Sequence, residues 1–247
     1  MLKYHKLISF CFGLLFLIVL QKFATPLPVF RFLAPAFILY AAVMAIYNKW
    51  YLRQIQKYNF WSVLRSVMLL ISAFGIFLVL PTGSLRGIFL ILTVRVITLA
   101  QIVLGLSAEN ILLNETLLIG FGLFFALCGA YYYFPSYQPL FAVGVFLAAA
   151  LLARSFYEFT PQTQKTKLVG AIILGLFCLQ LYWAINFLPF SFSALAILLF
   201  LAFYFCLILN YYHLFHNLNY KKIQFHLFLI AGCTAVVLAA TPWFIIQ

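Results

Sequence analysis

One arginine, Arg95, lies in the middle of the apolar run 85–105, well inside Arg86 at the start of that run. An arginine at the centre of a membrane helix costs about 2.5–3.5 kcal/mol, and each flanking Leu, Ile, Val or Phe returns about 0.3–0.6 kcal/mol. The run therefore still inserts, and we expect Arg95 to face protein or water rather than lipid. Two roles remain open: contact with an anion or substrate, or a packing hydrogen bond to a neighbouring helix, with Gln180 at similar depth.

The segment 108–116 holds two of the three acidic residues in the chain, Glu109 and Glu115, and the chain has no aspartate. We expect this segment, which includes Asn110, to form a tight turn between the fourth and fifth apolar runs. The acids can cap the fifth helix, because negative charge is favoured at helix N-termini. They can also pair with loop cations, or bind a cation or a proton. Capping or pairing is the favoured interpretation.

The third acid, Glu158, lies four residues after Arg154. This is the spacing at which two side chains form an ion pair on one helical face. We therefore interpret Arg154 and Glu158 as a structural salt bridge at the membrane boundary.

Other reactive residue types are sparse. His213, His216 and His226 lie around the turn between the last two runs, and two histidines three residues apart make metal binding conceivable. With four histidines in all, an interfacial role is favoured. The five cysteines have no short spacing, and nucleophile elbows, HExxH and phosphate-binding glycine loops are missing. The sequence therefore predicts neither a metal site nor a cofactor, and it favours a non-enzymatic protein.

The elements that position these residues are long apolar runs. Hydrophobic residues make up 67% of the 247 residues and charged residues 7%, with a mean hydropathy of +1.14. A membrane helix needs about 20 apolar residues, and prolines separate about nine such runs. The pattern predicts an all-α polytopic transmembrane bundle of about nine helices, formed by a single integral membrane domain over 1–247.

The net charge of +12 is spread between the apolar runs and not gathered in one patch. We therefore expect the lipid bilayer as the partner, with other membrane proteins as further candidates, and no nucleic acid. When the N-terminus is placed in the cytoplasm, most lysines and arginines fall on the cytoplasmic side, as the positive-inside rule requires. The expectation is a multipass protein of the cell membrane with its C-terminus outside.

Two segments are similar to parts of a known family. They are the stretch 105–114, Gly-Leu-Ser-Ala-Glu-Asn-Ile-Leu-Leu-Asn, and the ending Thr241-Pro242-Trp243. Together they resemble a family of uncharacterised multipass membrane proteins, a domain of unknown function, from candidate-phylum bacteria. Leu112 and Pro242 stand where that family more often has an aromatic residue and an arginine. The resemblance implies a bacterial inner-membrane protein and implies no activity.

Two functional hypotheses follow. The first is a non-enzymatic scaffold or subunit of a membrane assembly. The alternative is a small-solute transporter or permease, with Arg95, Gln180 and either Glu109 or Glu115 lining the path. A water-filled cavity that reaches Arg95 would favour transport, whereas a packed bundle would favour the scaffold. A lipid-modifying enzyme is disfavoured by the missing aspartates.

Overall fold

All regular structure in the computed structural model is helical. The structure describes residues 2–22, 30–55, 59–80, 84–103, 109–160, 162–188, 190–215 and 220–241. Within these ranges it contains nine α-helices and no strand, which confirms the all-α prediction. The helices are α1 (Leu2–Lys22), α2 (Phe30–Gln54), α3 (Phe60–Val79), α4 (Ser84–Val103), α5 (Glu109–Tyr133), α6 (Gln138–Tyr157), α7 (Gln164–Ile185), α8 (Phe192–Phe215) and α9 (Tyr220–Ala240).

Six helical segments in the described ranges are long and apolar enough to cross a membrane. They are Phe60–Val79, Ile111–Tyr133, Pro135–Tyr157, Gln164–Ile185, Phe192–His213 and Ile223–Ala240. Two shorter apolar segments, Tyr4–Phe16 and Ile91–Ala100, lie in α1 and α4. Length and composition thus indicate a membrane protein, because a helix satisfies its own backbone hydrogen bonds where no water is available. Nine crossings stay a prediction.

Local sequence signals explain several helix ends. The Asn59 side chain accepts a hydrogen bond from the Trp61 backbone N–H at 2.9 Å and so caps α3. Thr163 caps α7 in the same way through the Thr166 N–H, at 3.3 Å. Such caps satisfy amides that have no partner within the helix. Pro135 opens the short 3₁₀ turn Pro135–Tyr137, and α6 follows directly.

The chain divides into two compact units, Met1–Ile111 and Leu112–Gln247. In the first unit, α1 packs closely against α4, because a Cβ placed on Gly13 would lie 2.7 Å from the Thr98 hydroxyl oxygen. Aromatic side chains join α1 to α2, with the Phe16 and Tyr40 ring centroids 5.5 Å apart. A small residue thus brings two backbones together where lipid supplies no hydrophobic driving force.

In the second unit, α6 and α7 form the closest pair. A Cβ on Gly175 would lie 3.0 Å from both Ala150 and Phe146, so only glycine permits this approach. Helix α5 packs on α8 through ring pairs, among them Phe124 with Phe203 at 5.4 Å. Helix α8 also contacts α7 and α9. The second unit is therefore built mainly from neighbours in sequence.

Replacing Gly175 with leucine should destabilise the second unit by about 1–3 kcal/mol, the usual cost of overpacking a tight contact. The matched control is Gly232→Leu in α9, where a new Cβ would meet no described atom within 4 Å. Both changes gain the same helix propensity, so their difference isolates the α6–α7 contact. Thermal unfolding in detergent measures it, and equal melting temperatures for the two variants would contradict the close packing.

Candidate functional site

Arg95 lies on the outer face of α4. It shares that exposed face with Ile91, Leu92 and Leu99, which lie three or four residues away along the helix. The opposite face buries Thr93 and Ile97. Among the residues that the structure describes, Arg95 has no hydrogen-bond or ion-pair partner. Within the first unit, α4 therefore packs through the face opposite Arg95, and the expectation that Arg95 faces protein or water rather than lipid stays a prediction.

Gln180, the partner suggested for Arg95 by depth, is exposed on α7. It belongs to the second unit and Arg95 to the first. Contact between these two side chains stays a prediction.

The segment 108–116 is helical from Glu109 onward, since α5 begins there. Glu109 and Glu115 therefore lie in the first two turns of α5 and not in one tight turn. Leucine and glutamate are good helix formers, and acids at this end favour the helix dipole. Glu115 is half-buried. The side chains of Glu109 and Asn110 lie outside the described part of the chain, so their proposed roles stay predictions.

Arg154 and Glu158 meet at the end of α6. Arg154 Nη1 lies 2.5 Å from Glu158 Oε2, at the i,i+4 spacing of the sequence. Arg154 Nη2 also donates a hydrogen bond to Gln164 Oε1 at the start of α7. This hydrogen bond, and not the ion pair, joins the end of α6 to the start of α7.

A pocket lies beside this ion pair. It has a volume of about 200 Å³ and is lined by the ends of three helices, with Tyr157, Thr160, Thr166, Lys167, Asn210 and His213 among its walls. We call this the α6–α7 pocket. Lys167 is only 6% exposed, and its Nζ donates to the Glu158 backbone oxygen at 3.1 Å. The Tyr157 hydroxyl is buried and has no hydrogen-bond partner in the described structure.

This pocket was not predicted, because in the sequence Lys167 resembles the other lysines that lie between apolar runs. One feature of the sequence could have distinguished Lys167 from the other lysines. A lysine in the first turn of a helix opposes the helix dipole, and Lys167 is the fourth residue of α7. The burial of Tyr157 had no such signal, because an aromatic residue at a membrane boundary is common.

Asn48 and Arg65 are among the buried polar residues of the first unit. Asn48 in α2 is fully buried, and neither of its amide atoms has a partner among the described residues. Arg65 is 4% exposed within α3 and donates to Ser62 Oγ at 3.4 Å. Burial of such groups is costly unless they are satisfied.

The histidines are dispersed. His213 is exposed on α8, and His226 on α9 hydrogen-bonds to Tyr204 at 2.7 Å and to Tyr212 at 3.3 Å. His216 lies outside the described residues. Within the described ranges no group of three His, Cys, Asp or Glu residues is arranged to hold a metal ion.

Comparison with protein-family models, with curated proteins and with solved structures finds no match for this chain. The class of protein that the fold itself defines is an all-α protein with several membrane-compatible helices.

The Arg154–Glu158 pair should contribute a coupling free energy of about 0.3–1 kcal/mol, typical of partly exposed helical pairs. A double-mutant cycle with Arg154→Ala, Glu158→Gln and the combined variant isolates this coupling from other losses. Equilibrium unfolding in detergent provides the measurement. Additive effects of the two changes would show that the ion pair adds nothing to stability.

Proposed function

We propose that this chain is a multipass membrane protein that serves as a non-enzymatic subunit or scaffold of a membrane assembly, held through the exposed face of α4. The observation that supports the proposal is the exposure of the unpaired Arg95 side chain. It is exposed among Ile91, Leu92 and Leu99, and it has no partner among the described residues. An apolar face with one unpaired cation suits a protein partner better than lipid.

The position of Arg95 along α4 supports this choice. It lies eleven residues after Ser84 and eight before Val103, which is about 16 Å and 12 Å from the helix ends at 1.5 Å per residue. Contact with hydrocarbon at that depth costs about 2.5–3.5 kcal/mol on the insertion scale. A carboxylate or carbonyl oxygen from a partner would remove this cost, because charge-assisted hydrogen bonds are strong.

The acceptor is best supplied by another protein. This chain has three acidic residues, and one of them, Glu158, is engaged by Arg154. A partner with an acidic or amide side chain within a membrane helix has the matching chemistry. Such a partner would also cover the apolar residues around Arg95.

The placement in the membrane is part of the proposal. We infer nine crossings, a cytoplasmic N-terminus and an external C-terminus, supported by the distribution of lysine and arginine. The resemblance of residues 105–114 to multipass proteins of candidate-phylum bacteria supports a bacterial inner membrane.

A small-solute transporter is the second candidate, and Asn48 favours it. A fully buried amide without a partner in the described structure is unusual, and polar groups inside membrane bundles often mark solute paths. Arg95 does not line the three cavities that lie beside Tyr47, Tyr157 and Phe10, however. The scaffold is therefore the function that the geometry supports better.

Replacing Arg95 with leucine should abolish partner contact while the chain inserts normally, because the change removes the charge and keeps the face apolar. A photo-crosslinking residue at Ile91 reports the contact in native membranes, and the same probe at Val236, exposed on α9, is the matched control. We expect a protein adduct at 91 that disappears with Arg95→Leu and persists with Arg95→Lys.

Lipid adducts alone at 91, or a protein adduct that Arg95→Leu leaves unchanged, would contradict the proposal. Loss of solute flux in proteoliposomes with Asn48→Ala, at normal expression, would instead favour the transporter.

Two positions that flank α6, Tyr137 just before it and Lys165 at the start of α7, test the orientation. In a variant without native cysteines, Lys165→Cys should be protected from an impermeant maleimide in intact cells and react in inverted vesicles. Tyr137→Cys should show the reverse, and both positions are exposed. The same reactivity at both positions in intact cells would exclude this topology.

A further inference from the structure

We propose that the α6–α7 pocket binds a phosphate group, either the headgroup phosphate of an anionic phospholipid or free phosphate. This site is separate from the Arg95 face and goes beyond the proposed scaffold role. Three observations carry it: an uncompensated buried lysine, a buried hydroxyl without a partner, and a cavity of suitable size at the membrane boundary.

The charge of Lys167 is not neutralised within the pocket. The nearest acid in sequence, Glu158, gives its carboxylate to Arg154 and only its backbone oxygen to Lys167. The described lining of the pocket contains no carboxylate. An ammonium group has three donors, and the structure assigns one of them to the Glu158 oxygen. Two donors and a full positive charge therefore remain for an anion.

Tyr157 supplies a second donor. The residue is 3% exposed, and its hydroxyl has no hydrogen-bond partner among the described residues. The Tyr157 ring packs closely on Gly170 of α7, since a Cβ there would lie 3.3 Å from Tyr157 Cε2. A buried hydroxyl without a partner costs about 1–3 kcal/mol, and an oxygen of a bound phosphate would satisfy it.

The size of the pocket suits a small group. Its volume of about 200 Å³ is below the roughly 300–1,000 Å³ of pockets that hold drug-sized ligands. At about 30 Å³ per water molecule, it has room for a phosphate with a few waters. Thr166 and His213, which are exposed, complete its polar rim.

The pocket also lies at the depth of lipid headgroups. Three candidate spans end beside it, at Tyr157, Gln164 and His213. The start of α7 adds the positive end of a helix dipole, which favours phosphate. Val169 and Ile173 follow Thr166 and Gly170 by three residues on the same face of α7 and are exposed. They offer an apolar surface for acyl chains directly below the pocket.

The test uses the full chain purified in dodecyl maltoside, a detergent that contains no phosphate. Dioctanoyl phosphatidylglycerol and inorganic phosphate are titrated separately, and the apparent Kd is taken from the shift in melting temperature. We expect saturable stabilisation by at least one of them. Phosphatidylglycerol alone would identify a lipid headgroup site, and equal binding of both would identify a site for free phosphate.

Two variants and a matched control assign the binding to the pocket. Lys167→Gln should weaken binding on the order of tenfold to a hundredfold, as expected for a hydrogen bond to a charged group. Tyr157→Phe should weaken it about threefold to tenfold without lowering the melting temperature of the ligand-free protein, because the hydroxyl has no protein partner. Lys165→Gln removes an exposed lysine from the same helical turn and should leave binding unchanged.

The proposal is overturned if neither ligand stabilises the protein, or if Tyr157→Phe binds as the parent chain does. It is also overturned if Lys165→Gln weakens binding as much as Lys167→Gln, because binding would then follow surface charge alone. Should Lys167→Gln fail to fold, the Tyr157→Phe result decides by itself.

Discussion

The structure depends on one constraint: inside a bilayer every backbone polar group must find its partner within the protein. This constraint makes the described chain a series of helices and moves the irregular backbone to their ends. It also removes the usual hydrophobic reason for helices to associate, since lipid tails are as apolar as leucine. Association therefore relies on close contact, which explains why Gly13 and Gly175 lie where helices approach one another most closely.

The same constraint governs the charged groups, and the shortage of acids makes it severe. Cations greatly outnumber carboxylates in this chain, so the cations use other acceptors. Arg154 combines a glutamate with the amide of Gln164, and Lys167 uses a backbone carbonyl. Arg95 has no acceptor among the described residues. The two proposed sites thus have one physical cause, a positive charge without a carboxylate partner among the described residues: Arg95 in α4 and Lys167 in α7.

The sequence was sufficient to predict the helices and one specific contact. Run length and proline positions located the elements because one spanning helix has a fixed length, and the four-residue spacing identified Arg154 with Glu158 because that contact is local. Contacts that depend on tertiary packing could not be predicted from the sequence. The outward direction of Arg95 follows from the face that α4 turns to α1, and the burial of Lys167 follows from the fold of α6 against α7. Neither can be read from the residues near them in sequence. The polar residues of segment 108–116 favour a turn, whereas its leucines and glutamates favour the helix that the structure shows from Glu109 onward.

The pairing of α1 with α4 has a consequence for how the chain is made. Gly13 of α1 must wait for Thr98 of α4, 85 residues later, and Gly120 of α5 must likewise wait for Phe203 of α8, 83 residues later. At about 5–20 residues per second, synthesis of that interval takes about 4–17 seconds. During this time the glycine-bearing face of α1 is without its permanent neighbour, while α2 and α3 are already being synthesised. The helices α1 and α5, whose partners are made last, are therefore those whose biogenesis would depend most on a helper that shields a nascent helix.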